Sequence, residues 1–133
     1  MDDNKTMRIW LPLVIYCVLI LIQAFLPLPV FRLRHADKLV HFMAYAVLGI
    51  LLFRALISFN TRTSTGMNVF LAVFLSAIMG FSDEIIQIFV PSRSIDRVDF
   101  FYDVLGSFSG ILLYLGIITL TRDKTVQSDD KGV

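Results

Sequence analysis

The sequence has few charged residues, and this scarcity limits the classes of protein that it can encode. Of its 133 residues, 17% are charged, against about a quarter in a typical soluble domain. Apolar residues make up 56% of the chain, and the mean hydropathy is +0.74. So little charge in so apolar a composition excludes an ordinary water-soluble domain and indicates a membrane protein.

The sequence also lacks an excess of positive charge and has a single cysteine, Cys17. The formal net charge of +1 gives no basic surface for nucleic acid. Cys17 cannot form an intrachain disulfide and is predicted to be a small buried hydrophobic residue. There is no nucleophilic serine elbow, phosphate-binding glycine loop or zinc signature. The sequence therefore assigns no cofactor and excludes a nucleic-acid partner.

Four long apolar runs follow one another along the chain. They cover about residues 9–28, 39–59, 67–90 and 100–120. A membrane-spanning helix needs about 20 residues, so each run fits one span, whereas a soluble bundle would need polar faces that are missing here. The sequence predicts an all-α membrane protein, a bundle of four transmembrane helices. We expect a single domain over residues 1–133, with short polar ends at 1–7 and 122–133.

The distribution of Lys and Arg predicts the orientation of these spans. The first run is long and no cleavage site follows it, so we expect a retained anchor and not a signal peptide. With both termini on one side, seven basic residues lie on that side and five on the other: Lys5, Arg8, Arg54, Arg62, Arg122, Lys124 and Lys131 against Arg32, Arg34, Lys38, Arg93 and Arg97. The positive-inside rule then favours cytoplasmic termini. The loops at 28–38 and 91–99 would be extracytoplasmic.

Two acidic residues, Asp83 and Glu84, interrupt the third apolar run. Insertion scales put the cost of a charge at mid-helix at roughly 2.5 to 3.5 kcal/mol. Such groups are retained where they face a bundle interior, a water-filled cavity or a partner. We therefore expect both side chains to face the interior of the bundle.

Polar residues at the ends of the neighbouring runs lie at matching depths, because depth follows from position along each helix at about 1.5 Å per residue. Asp37, His41 and Tyr45 recur every four residues and so share one helix face. In the fourth run, Gly106 and Gly110 form a small-xxx-small pair that lets another helix approach closely. The convergent set, which we call the polar cluster, comprises Asp37, Lys38, His41, Tyr45, Asp83, Glu84, Gln87, Arg93, Asp96, Asp99 and Asp103.

Three sequence blocks carry the whole of this cluster: DKLVHFMAYAVLG at residues 37–49, DEIIQIFVPSR at 83–93 and DRVDFFYDVLGSFSG at 96–110. In this order and at these distances they resemble the VanZ-like family of small integral membrane proteins, over about residues 35–115. The family usually has Asn at the position of Asp103 and often Gly at that of Ser92. The extra carboxylate makes the cluster here more acidic.

The resemblance implies a role in the cell envelope, because the family is named for a protein associated with low-level resistance to the glycopeptide teicoplanin. It implies a multi-pass protein of the bacterial cytoplasmic membrane, in contact with membrane lipid and with a lipid-linked or glycopeptide-type ligand. The oligomeric state stays open.

Three functions fit the polar cluster. In the first, Lys38 and Arg93 bind an anionic head group in an extracytoplasmic pocket between the second, third and fourth helices, and His41, Glu84 and Gln87 orient the ligand.

In the second, the protein is a membrane-embedded enzyme acting on a lipid-linked substrate. His41 and Glu84 would form a general acid/base pair, or the carboxylates would hold a divalent cation. That cation site would consist of Asp83, Glu84, Asp99 and Asp103. In the third, the protein is a structural or interaction protein, and the acids pair with Arg93 or Lys38 as a polar lock that holds the bundle shut.

Overall fold

The computed structural model describes residues 3–25, 34–59, 62–90 and 96–130, and these form four α-helices with short turns. The helices are α1 (Asp3–Phe25), α2 (Arg34–Phe59), α3 (Thr65–Ile88) and α4 (Arg97–Asp130). Each contains a stretch long and apolar enough to cross a membrane. Helices suit such sequences because hydrocarbon offers no partners for backbone N–H and C=O groups, which a helix satisfies internally. The predicted four-helix transmembrane bundle is confirmed.

The helix boundaries differ in part from the predicted ones. α2 begins at Arg34 and α4 at Arg97, so parts of the predicted loops at 28–38 and 91–99 are helical. Asp37 and Asp99 lie in the first turns of these two helices, where an acidic side chain faces the positive end of the helix dipole. α4 continues to Asp130, into the predicted polar end.

α2 is the central helix of the bundle and packs against all three others, most extensively against α4. The α2–α4 crossing is close because glycine lies where the two backbones meet. A Cβ atom built at Gly106 would meet the backbone of Phe42, and one built at Gly110 would meet that of Ala46. The close approach predicted for the Gly106 and Gly110 pair is therefore confirmed, with α2 as the neighbouring helix.

The apolar core extends from Tyr45, at the edge of the polar cluster, into the other half of the bundle and along α1. Its buried members are Leu13, Ile20, Tyr45, Leu48, Leu52, Phe53, Ala55, Ala72 and Ile111. Phe53 makes an edge-to-face contact with Tyr114 of α4, with ring centroids 6.3 Å apart. α1 packs on α2 and α3, and the Tyr16 hydroxyl donates a hydrogen bond to the Ala44 carbonyl at 2.9 Å. Most remaining apolar side chains are exposed, as expected of surfaces that face lipid.

Candidate functional site

The outer layer of the polar cluster is an ion-paired group that joins α2 to α4. Lys38 Nζ lies 2.8 Å from Asp96 Oδ2 and 2.9 Å from Asp99 Oδ1. Asp96 directly precedes α4, and its Oδ1 accepts the backbone N–H of Val98 at 2.9 Å, as an N-cap residue does. The ammonium of Lys38 is thus compensated by two carboxylates of the chain itself.

One turn deeper, a second pair joins the same two helices. His41 Nδ1 and Asp103 Oδ1 share a hydrogen bond at 3.0 Å. The Asp103 side chain is completely buried, and a Cβ atom built at Gly80 of α3 would lie only 2.9 Å from Asp103 Oδ2. Because glycine has no side chain, Gly80 leaves room for the Asp103 carboxylate.

The two acids of α3 face the bundle interior, as predicted from their place in an apolar run. Asp83 and Glu84 are each 5% exposed. Glu84 Oε2 accepts the backbone N–H of Asp96 at 3.2 Å, and Gln87 Nε2 donates to Asp83 Oδ2 at 3.4 Å. α3 thereby contributes its carboxylates to the layer that α2 and α4 form.

Several buried oxygen atoms in this region have no hydrogen-bond partner among the residues that the structure describes. They include Tyr45 Oη, Glu84 Oε1 and Asp103 Oδ2, with the hydroxyls of Ser76 and Ser107 farther along the helices. Buried polar atoms in proteins almost always have a protein, water or ligand partner. Water or another polar species can therefore hydrogen-bond to these atoms.

A small polar cavity lies between α1, α2 and α3. Its volume is about 20 Å³, and its polar lining consists of Gln23, His41, Tyr45, Asp83 and Gln87. A cavity of this size holds about one water molecule. It can therefore hydrate the inner face of the polar cluster, but it is too small for an organic ligand.

A larger apolar groove opens between α2 and α4 next to the polar cluster. This α2–α4 groove has a volume of about 450 Å³ and is lined by Lys38, Leu39, Phe42, Tyr102 and Leu105. Its lining is mainly apolar, with Lys38 as its one charged residue. Its size and composition suit a section of a hydrocarbon chain.

His41 and Glu84, the proposed acid/base pair, are not hydrogen-bonded to each other. The hydrogen-bond partner of His41 is Asp103. Nor does Lys38 pair with Glu84, as one version of the polar lock requires, because Lys38 bonds to Asp96 and Asp99. Arg93, which the sequence analysis assigns to an anionic ligand or to the buried acids, lies outside the described residues.

The carboxylates proposed as a cation site do not coincide with the group that, among the described residues, has the spacing of metal ligands. That group is Asp37, His41 and Asp99, which can each offer a ligand atom within 4.8 Å of the others. It shares only Asp99 with the predicted set. The difference arises because Asp37 and His41, four residues apart on α2, face the first turn of α4.

Some residues that line these spaces or extend the buried polar face were not predicted from the sequence, among them Gln23, Tyr102 and Ser76. Gln23 reaches the small cavity from α1, a helix interpreted only as an anchor, although a glutamine in an apolar run is itself a signal. Tyr102 lines the α2–α4 groove. Ser76 is fully buried on α3, four residues before Gly80, and extending the four-residue spacing back from Glu84 would have found it.

Fold and site together define a small multi-pass membrane protein with a buried polar cluster at one end of a four-helix bundle. The model of the VanZ/LLP1 family matches residues 19–120, which include all four predicted spans in whole or in part and the entire polar cluster. The chain therefore belongs to the VanZ-like family. No curated protein and no solved structure matches it.

Proposed function

We propose that this VanZ-like protein acts in the cell envelope and binds a lipid-linked ligand. The ligand's hydrocarbon chain lies in the α2–α4 groove and its head group meets the polar cluster. The observation that carries this proposal is that groove and cluster share Lys38, which lines the groove and bonds to Asp96 and Asp99. An amphipathic ligand needs an apolar surface and a polar site side by side, and these two features supply them.

The charges at the groove entrance bear on the kind of head group. Lys38 is already bonded to two carboxylates, so it binds an anionic group more weakly than its sequence position suggests. The contacts there fit hydroxyl or amide groups of a head group, which can donate to carboxylates. In this proposal Arg93 binds any phosphate of the ligand, since its planar guanidinium matches phosphate geometry.

The polar lock is a second candidate that one observation favours. The Lys38 ion pairs and the bond between His41 and Asp103 both join α2 to α4, as a purely structural role would require. The lock explains these bonds and makes no use of the apolar groove beside them.

We propose further that the protein lies in the bacterial cytoplasmic membrane with both termini in the cytoplasm. Four spans put the two termini on one side, and the count of Lys and Arg favours the cytoplasm. Single cysteines at Ser128 and Ser92, in a Cys17→Ser background, test this orientation. A membrane-impermeant thiol reagent applied to intact cells should label the cysteine at 92 and spare that at 128, and the reverse pattern would invert the topology.

The ligand proposal is tested by filling the groove. Leu105→Trp places an indole in the α2–α4 groove, whereas Leu113→Trp adds the same group to a lipid-facing position of α4 that is 62% exposed. We expect Leu105→Trp to reduce both co-purified lipid, measured by native mass spectrometry, and teicoplanin tolerance of cells that express the protein. Leu113→Trp should change neither. Equal behaviour of two variants that melt like the parent would contradict the proposal.

A further inference from the structure

We propose that Asp37, His41 and Asp99 form a binding site for a divalent cation of the Mn²⁺ or Zn²⁺ class, with Asp103 positioning the histidine. One ligand atom from each of the three residues lies within 4.8 Å of the others. Ligand atoms about 2.1 Å from a metal are at most about 4.2 Å apart. A contraction of about half an ångström, within the reach of a side-chain rotation, is therefore enough to close the site.

The environment of His41 matches that of a metal-binding imidazole. Its Nδ1 is held by the completely buried carboxylate of Asp103 at 3.0 Å. In metal sites a carboxylate commonly fixes the ring of a histidine ligand in this way, which orients the other nitrogen and raises its basicity. With Nδ1 held by Asp103, Nε2 is left for the cation.

A second observation, independent of the three ligands, comes from Glu84 on the opposing helix. This residue is 5% exposed, and its Oε1 is buried with no hydrogen-bond partner among the described residues. Its carboxylate is near enough to His41 and Asp99 to interact electrostatically with both, although it lies outside the group whose ligand atoms are within 4.8 Å of one another. In the proposed site Oε1 moves in as a fourth ligand atom, while Oε2 stays bonded to the Asp96 backbone N–H.

The donor set selects the class of ion. One imidazole with carboxylate oxygens suits first-row ions such as Mn²⁺ and Zn²⁺, whereas Mg²⁺ and Ca²⁺ prefer oxygen ligands alone. Lys38 then competes with the cation for Asp99, because its ammonium bonds to Asp99 Oδ1. The inference goes beyond the proposed function, since metal binding needs neither the groove nor a lipid-linked ligand.

The test is Mn²⁺ binding to the purified full-length protein in detergent, followed by the loss of the free-ion electron paramagnetic resonance signal. We expect one saturable site per chain that Zn²⁺ displaces and that a tenfold excess of Mg²⁺ does not. His41→Ala and Asp99→Asn should each weaken binding at least tenfold. Asp103→Asn should weaken it about tenfold, the lower end for loss of a residue that orients a ligand, and Asp123→Asn should have no effect.

Two further variants keep the test decisive. If His41→Ala does not fold, Asp37→Asn replaces it, because Asp37 is the most exposed of the three ligands and should tolerate the change. Lys38→Met should tighten Mn²⁺ binding by freeing Asp99. The proposal is overturned by absence of saturable binding, by equal displacement with Mg²⁺, or by an affinity that Asp37→Asn and Asp99→Asn leave unchanged. Each of these outcomes leaves the groove experiment with Leu105→Trp unaffected.

Discussion

Around Phe53 the interior of the bundle is apolar, and around His41 it is polar, although both residues lie on α2 about 18 Å apart at 1.5 Å per residue. Phe53 is fully buried in the core cluster and contacts Tyr114 edge to face. His41 meets the buried carboxylate of Asp103 instead. The same pair of helices is thus joined by packing in one half and by paired charges in the other.

This difference supports the proposal that the polar half serves more than cohesion. Helices in a membrane associate through close packing, without a hydrophobic driving force between them, and the apolar half shows that this chain packs well. Buried ion pairs are often no more stabilising than apolar side chains of similar volume. A chain that needed only a stable bundle could have continued the apolar core to the other end, which is an argument for the proposed binding role of the polar cluster.

The largest effect on stability should come from the close α2–α4 crossing that both halves share. In Gly110→Leu the new side chain meets the backbone of Ala46 and must separate the helices. Overpacking costs about 1–3 kcal/mol where side chains can yield, and a backbone contact should exceed that range. Thermal unfolding in detergent measures the loss. Gly116→Leu is the control, since a Cβ atom there meets nothing within 4 Å. An equal loss of stability in this variant would contradict the close α2–α4 crossing.

The apolar half should respond next. Phe53→Ala leaves a cavity in the core cluster. In soluble proteins this change costs about 3–5 kcal/mol, and lipid removes part of the solvent-transfer contribution, so we expect about 2–3 kcal/mol in a denaturant titration. Phe70→Ala alters a side chain that is 62% exposed and should be nearly neutral. Similar losses for both variants would mean that the core is not where the structure places it.

The outer ion pairs of the polar half should contribute less. Lys38→Met removes the partner of Asp99, which is 8% exposed, but Asp96 is 44% exposed and reaches solvent. The expected loss lies between that of a surface pair and a buried one, about 1–2 kcal/mol. Arg122→Met, an exposed change at the far end of α4, is the control in the same melting experiment. A loss as large as that of Phe53→Ala would favour the polar lock.

Among the described residues, the burial of the polar side chains was easier to predict from the sequence than their pairing. Four-residue spacing places Asp37, His41 and Tyr45 on one helix face, so their convergence follows from helix geometry alone. The partners of Lys38 are 58 and 61 residues away in the chain, and choosing them requires the rotation of α4 relative to α2. That rotation is set by the glycine contacts at the crossing, which spacing within one helix does not reveal.

For α1 the sequence offers a single signal, Gln23, which lines the small cavity beside His41. The first apolar run has no polar stripe that would show which face it turns inward. The α2–α4 groove is likewise a property of two packed surfaces. Leu39 and Leu105, which line it, look like any other lipid-facing leucines in the sequence.

The central claim, that the polar cluster binds something beyond its own residues, is tested most directly by Glu84→Gln. This change keeps the shape of the side chain and its bond to the Asp96 N–H, and it eases burial. Melting temperature in detergent and teicoplanin tolerance of expressing cells should be measured on the same variant. The account predicts an unchanged or higher melting temperature together with lost tolerance. A fall in stability large enough to explain the whole loss of tolerance would contradict this account and favour the polar lock.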